Sequence, residues 1–266
     1  AIKTEPLGDY AGFGGRGLTS SIVSKEVPPL CHPLGEDNKL VIAPGLLSGS
    51  TAAMSGRISV GCKSPLTGGI KEANAGGMPS QMLARLGYAA IVLEGKPKDN
   101  TLYKILINKD GVDIQPANDL CMLGNYDTVD KIKAAHGEKV SCISIGPAGE
   151  NLVRYAAIIH DVNRAAGRNG LGALMGSKNL KAVVFEGYND IPVAYPKDMK
   201  ELSAAGYREI LTKPNFAFWK KQGTMSTVEW CQENGTLPTF NFSEGVFEKA
   251  DKIGGFAMEK IKVGNR

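Results

Sequence analysis

Residues 163–187 read NRAAGRNGLGALMGSKNLKAVVFEG: a turn with two arginines four apart among residues of almost no side-chain bulk, then a short helical pattern, then a β-rich run. Arginines on an ordinary surface need no glycine around them, so the small neighbours imply that something approaches the main chain closely. Glycine admits backbone N–H groups to a phosphate, a helix start adds the positive end of its dipole, and a guanidinium adds a charged fork. An exposed basic turn is the plainer alternative. A second stretch, residues 55–77 (SGRISVGCKSPLTGGIKEANAGG), has the same texture and leads through a helical pattern at 79–86 into a strand pattern at 88–93. Two such places suggest one ligand with two phosphate arms, or two ligands.

Working outward, β-rich runs bounded by Gly, Pro, Asn or Asp occur at 38–42 (NKLVI), 88–93 (YAAIVL), 101–107 (TLYKILI), 140–145 (VSCISI) and 182–185 (AVVF), and are expected to be strands. Helical patterns fall at 18–25, 79–86, 126–135 and 171–176. Met78, Met82, Leu83 and Leu86 mark one apolar face, and Gly87 is placed to end that helix in a left-handed cap. Strands and helices mix without regular βαβ alternation, so the expected class is α+β, not a doubly wound sheet. After Gly187 the polar, proline-bearing NDIPVAYPKD leads into helical patterns at 199–211 and 225–233, the second with Thr224 to cap its start and Gly235 its end. The expected division is a domain over 1–190 and the start of a helical domain over 191–266. Sliding the chain by 92 positions sets AIVLEG (90–95) on AVVFEG (182–187) and places Asn74 and Gly76 opposite Ala166 and Arg168. Strict identity is confined to four positions, so internal duplication and coincidence of two helix–strand units both stand.

The 266 residues suffice for a sizeable core. Thirty-three glycines, about one residue in eight against a usual 7% or so, cluster in the two stretches above and at 12–17. A net charge of +4, with no basic run interleaved with aromatics, argues against nucleic acid. Cys31, Cys62, Cys121, Cys142 and Cys231 show no CxxC or CxxH spacing and read as free thiols of a reducing cytosol. No apolar run approaches a membrane span, and AIKTEP is no signal peptide, so a cytoplasmic location is expected. Both ends, Ala1 and the VGNR tail, look like cuts inside a longer sequence.

Residues 12–17 (GFGGRG) match G-x-G-x-x-G literally, with Asp37 at about the ribose-binding distance, but the preceding AIKTEPLGDYA makes a poor strand. A plain glycine turn before a helix at 18–25 is the expectation. KSPLTGG (63–69) reads as a tight turn, since the chain lacks G-x-x-x-x-G-K-[ST]. Asn74-Ala75-Gly76-Gly77, just before Pro79, is either a helix N-cap or an anion site. His160 and Asp161 could form an acid–base pair, but His160 follows the apolar AAII and reads as structural. No Ser-His-Asp set, HExxH motif or cysteine cluster is present, and no catalytic residue is assigned.

The strings GGRGL (14–18), GRISVGCKSPLTGGIKEANAGG (56–77) and SIGPAGENLVRYAAIIHDVNRAAGRNGLGALMGSKNLKAVVFEG (144–187), in that order, resemble the tungsten-dependent aldehyde ferredoxin oxidoreductases. That resemblance implies an α+β, two-sheet floor beneath a bis-pyranopterin tungsten cofactor, with molybdenum the alternative metal. It implies pterin contacts at Arg57, Asn74, Ala75, Gly76, Arg164, Ala165, Gly167 and Arg168. It also implies a Mg ion bridging the pterin phosphates, held in part by main-chain oxygens of Asn74 and Ala165, a role that suits a hard cation. The family's [4Fe–4S] cysteines would lie beyond residue 266, so the chain alone is expected not to turn over. For the whole enzyme the implied reaction oxidises an aldehyde to the carboxylic acid and passes two electrons to ferredoxin. Implied partners are ferredoxin, a small aldehyde, the rest of the polypeptide or a partner subunit, and a second copy in a homodimer. A same-cofactor relative such as the catalytic subunit of a benzoyl-CoA reductase complex, or a non-catalytic pterin-binding module, are the alternatives.

Overall fold

Two antiparallel hairpin-rich halves, each with one helix outside its sheet and one inside, make up most of the chain in the computed structural model, which describes residues 1–167 and 169–261. Helix α1 (Gly15–Glu26) precedes β1 (Leu40–Pro44), β2 (Arg57–Lys63), β3 (Ile70–Gly76), α2 (Met78–Arg85) and β4 (Ile91–Leu93). The hairpin β5 (Tyr103–Asn108) and β6 (Gly111–Pro116) follows, then α3 (Asn125–His136), β7 (Ser141–Ser144), α4 (Pro147–Glu150), β8 (Ile158–His160), β9 (Arg164–Ala166), α5 (Leu171–Ser177) and β10 (Leu180–Phe185). One sheet runs β3-β2-β1-β4 and the other β6-β5-β10-β7-β8-β9. Only β5 and β10 pair in parallel, so the class is α+β as expected.

Alternation along the strands sets the layers. In β1, Leu40 and Ile42 face a central core, whereas Val41 and Ala43 face Leu18, Ile22 and Val23 of α1. In β10, Val183 and Phe185 join the central core, whereas Ala182 and Val184 face Val129 and Ile132 of α3. Met82 and Leu83 of α2 and Leu171, Leu174 and Met175 of α5 fill the space between the sheets. Each such side chain, fully buried, contributes about 1.5–3 kcal/mol of hydrophobic stabilisation. Gly87, at φ +89°, ends α2 as the sequence suggested, but Met78 is half exposed and lies off the apolar face.

The two halves repeat one another. Each runs a 3₁₀ turn (Gly8–Tyr10; Asn118–Leu120), a twelve-residue helix (α1; α3), three antiparallel strands, an inner helix (α2; α5) and a return strand. In both sheets the return strand pairs with the first strand of its half, in the orders β3-β2-β1-β4 and β9-β8-β7-β10. Coincidence is thereby set aside in favour of duplication. The register also corrects the offset. Ser59 pairs with Asn74 and Ile58 with Ala75, as Ile159 pairs with Ala165 and Ile158 with Ala166. With the return strands aligned 92 apart, the pairing carries Ile42 onto Ile143 and Val60 onto His160, so Asn74 corresponds to Ala165 and Gly76 to Gly167, 91 positions apart and not 92.

Several local expectations change. Residues 57–63 and 70–76, read as a glycine-rich turn region, are the two long strands of a hairpin, and only 64–69 is the turn. Helix α1 begins at Gly15, inside the glycine run; a 3₁₀ turn, not a strand, precedes Gly12, which removes the structural basis for a dinucleotide motif. A second compact unit begins at Lys200 and holds most of α6 (Pro196–Thr212), with α7 (Phe216–Gln222), α8 (Thr227–Glu233), α9 (Ala250–Ile253) and α10 (Gly255–Ile261). Within it Phe218 and Phe256 stack at 6.0 Å between ring centroids and Gln222 Nε2 donates to Glu259 Oε1 at 2.7 Å. Thr224 does not cap α8: it lies in a 3₁₀ turn whose last residue, Ser226, precedes the helix without a side-chain cap bond. Among the described residues no helix is long and apolar enough to cross a membrane.

Candidate anion cradle between the two halves

The outer strands of the two sheets, β3 and β9, lie against one another, and the sequence-selected residues gather at that seam. From β2, Arg57 pairs in register with Gly76, donates Nε–H to Asn74 Oδ1 at 2.5 Å and reaches the Asn74 main-chain oxygen with Nη2 at 3.3 Å. From β9, Arg164 donates to the Asn163 carbonyl at 3.0 Å. A Cβ placed on Gly76 would lie 3.7 Å from Arg57 Nη1 and 4.0 Å from Arg164 Nε, so two guanidinium groups flank the bare α-carbon. Among the described residues neither arginine forms an ion pair. Two cations without an ion pair beside a bare α-carbon give this surface the charge and the access that an anion requires.

The twofold is broken in its charges. Arg57 corresponds to Ala157 and Arg164 to Ala73, so each half supplies one guanidinium from a different strand position. Ala165 and Gly167 are exposed, and a Cβ on Gly167 would meet only the Ala165 side chain, at 3.9 Å. The Ala75 side chain is buried, which leaves its main chain for any contact. Gly77, at φ +109°, is the N-cap of α2, with Pro79 in the first turn, so this short segment is at once the end of a strand and a helix start. Arg168 lies outside the described residues.

Three side-chain bonds cross between the halves here: Ser64 Oγ donates to the Asn169 carbonyl at 2.8 Å, Asn169 Nδ2 to the Glu72 carbonyl at 2.8 Å, and His160 Nδ1 lies 3.3 Å from the Gly76 carbonyl. A carbonyl only accepts, so Nδ1 carries the hydrogen. His160 is fully buried, and burial pushes its pKa down to about 4, so it is neutral at physiological pH. Its Nε2 is buried without a partner, which costs about 1–3 kcal/mol. Asp161, at φ +49°, turns instead to Ser141 Oγ at 2.8 Å and the Cys142 N–H at 3.0 Å, so the two side chains do not pair as acid and base.

The second half of the opening stretch has another use. A Cβ on Gly176 would collide with the Gly149 carbonyl, and one on Gly172 would meet the Ala157 carbonyl at 2.5 Å. These glycines let α5 press against α4 and the 156–157 backbone; they pack the floor and do not touch its surface. The five cysteines are unpaired, and burial pushes the Cys62 and Cys142 thiols up to about 12, which makes them inert. Among the described residues no three His, Cys, Asp or Glu side chains gather to hold a metal.

Residues 1–187 match the family description "Aldehyde ferredoxin oxidoreductase, N-terminal domain", and residues 201–266 match "domains 2 & 3" of the same family. The chain is 41% identical over 262 residues to the tungsten-containing aldehyde ferredoxin oxidoreductase of Thermococcus kodakarensis, covering 97% of this chain and 43% of that protein. It is 42% identical over 248 residues to the Pyrococcus furiosus protein of the same name, covering 92% and 41%. It is also 35% identical over 226 residues to the P. furiosus aliphatic sulfonate oxidoreductase, WOR-like subunit, covering 78% and 35%. Among solved structures, the active-site complex BamBC of benzoyl coenzyme A reductase with 1,5-dienoyl-CoA superposes at a TM-score of 0.71 with 32% identity, over 90% of this chain and 34% of that one. The chain thus spans less than half the length of these relatives, yet family matches cover nearly all of it, and it belongs to the aldehyde ferredoxin oxidoreductase family.

Proposed function

We propose that this chain supplies the floor of a bis-pyranopterin tungsten site in an enzyme that oxidises aldehydes to carboxylic acids and passes the electrons to ferredoxin. The observation that carries the reading is the seam itself: Asn74 and Ala165, Gly76 and Gly167 at matching places in two repeated halves, with unpaired Arg57 and Arg164 over the bare α-carbon. A near-twofold ligand with a phosphate on each arm suits a near-twofold floor, and the relatives named for tungsten supply the identity of the ligand.

The residues present fit such a group. Gly76 and Gly167 leave the main chain bare at the seam, and Arg57 and Arg164 would neutralise phosphate with charge-assisted bonds worth about 1.5–3 kcal/mol each. Main-chain oxygens of Asn74 and Ala165 would serve as hard ligands for the Mg ion that the resemblance implies, and Ala75 would contribute through its main chain. Arg168 is assigned to the same task by resemblance. When bound, the tungsten centre supplies the two-electron redox chemistry; the chain positions it and balances its charge. We assign residues 1–190 to this cofactor domain and 191–266 to the start of the helical part. A [4Fe–4S] cluster would draw its cysteines from elsewhere in the protein, because the five described here do not gather.

The superposition on the benzoyl coenzyme A reductase complex favours one second reading, a same-cofactor reductase acting on a thioester. Protein purified from its host without oxygen separates the two: aldehyde-dependent reduction of ferredoxin with formation of the acid supports the first. Tungsten-loaded protein that leaves aldehydes untouched overturns it.

A further inference from the structure

We propose that His160 is a positioning residue that aims the Gly77 N–H at the ligand by fixing the Gly76 carbonyl from beneath, an inference that rests on the cradle reading above. The chain Gly76–Gly77 joins β3 to α2 with two residues that lack side chains, and it is the segment of the cradle whose peptide plane turns over most freely. His160, on β8 of the other half, reaches across and holds the Gly76 carbonyl with Nδ1–H at 3.3 Å. The peptide bond is planar and trans, so a carbonyl drawn into the interior sends the N–H of Gly77 the opposite way, outward. Among the described residues that N–H has no acceptor. A fixed donor without a partner, beside two unpaired guanidinium groups and at the start of α2, is what an anionic ligand requires.

The duplication shows what is special here. The position corresponding to His160 is Val60, an apolar residue buried in the same layer, so the fold is satisfied by a hydrocarbon at this place. Histidine leaves Nε2 buried and unpartnered, which valine would not. Stability alone thus gives no reason for a histidine; the bond to Gly76 does.

The test uses His160→Val, which copies the other half, and His160→Asn, whose amide nitrogen lies near the place of Nδ1 and can donate the same bond. In host-purified protein, His160→Val should lose tungsten about tenfold faster into chelator than wild type, the worth of one well-placed donor, with a melting temperature within about 3 °C of wild type. His160→Asn should retain tungsten as wild type does. In metal-free protein, hydrogen exchange followed by mass spectrometry should show residues 72–80 exchanging at least about threefold faster in His160→Val and unchanged in His160→Asn. Equal exchange in all three, equal exchange and tungsten loss in the two variants, or tungsten loss that only tracks a lowered melting temperature would overturn the proposal. If wild type holds neither tungsten nor pterin, the functional reading falls, while the exchange measurement still decides the role of His160.

Discussion

Arg57→Ala separates binding from folding most cleanly. The side chain is exposed and leans on Asn74 through Nε at 2.5 Å and Nη2 at 3.3 Å, so its loss should cost the fold about 0.5 kcal/mol or less, below 3 °C in melting temperature. Its bond to a phosphate, at about 1.5–3 kcal/mol, corresponds to roughly 10- to 150-fold in retention of the ligand. Arg57→Lys should fall between, since it restores the charge but not the planar fork. The assay is tungsten per chain by mass spectrometry after gel filtration, together with the rate of loss into chelator and a calorimetric scan of the metal-free protein. Tungsten content unchanged in Arg57→Ala, or lost only in step with the melting temperature, would refute the reasoning.

Other outcomes follow from the same geometry. Gly176→Ala drives a methyl into the Gly149 carbonyl and should destabilise by roughly 2–4 kcal/mol, read as a shifted urea midpoint; an unchanged midpoint contradicts the tight α4–α5 crossing. Lys181→Met leaves Glu150 buried without the cation now 2.6 Å away, at a cost of about 3–5 kcal/mol, and adding Glu150→Gln should recover much of it. For His160 the sign runs toward acid: its folded pKa near 4 lies below the ordinary 6.5, so the contribution of the neutral ring is whole above pH 6.5 and is lost between there and pH 4, up to about 3 kcal/mol. Val at that position should flatten this part of the stability–pH curve, and an identical curve would contradict the assignment.

Much of this was legible in the residues, for definite reasons. Hydrophobic runs such as AVVF and VSCISI disclose strands because they are buried on both faces, and Gly87 marks a helix end because the chain there must turn left-handed. Strands β3 and β9 were not legible: IKEANAG and RAA are edge segments, polar or small, paired on one side only, so they carry no apolar run to betray them. The glycines of 163–177 read as one anion turn, whereas contact divides them, Gly167 at the surface and Gly172 and Gly176 within the floor. His160 gave the right signal, an imidazole after an apolar run; what it holds depends on a carbonyl 84 positions away, which no local pattern reports.

The central claim is that the seam between two repeated halves carries one ligand with a phosphate on each side. Its most direct measurement is metal and pterin analysis of protein purified from its host without oxygen. The account predicts tungsten with two pterins per chain, both diminished in Arg57→Ala. Active protein that contains neither would contradict it.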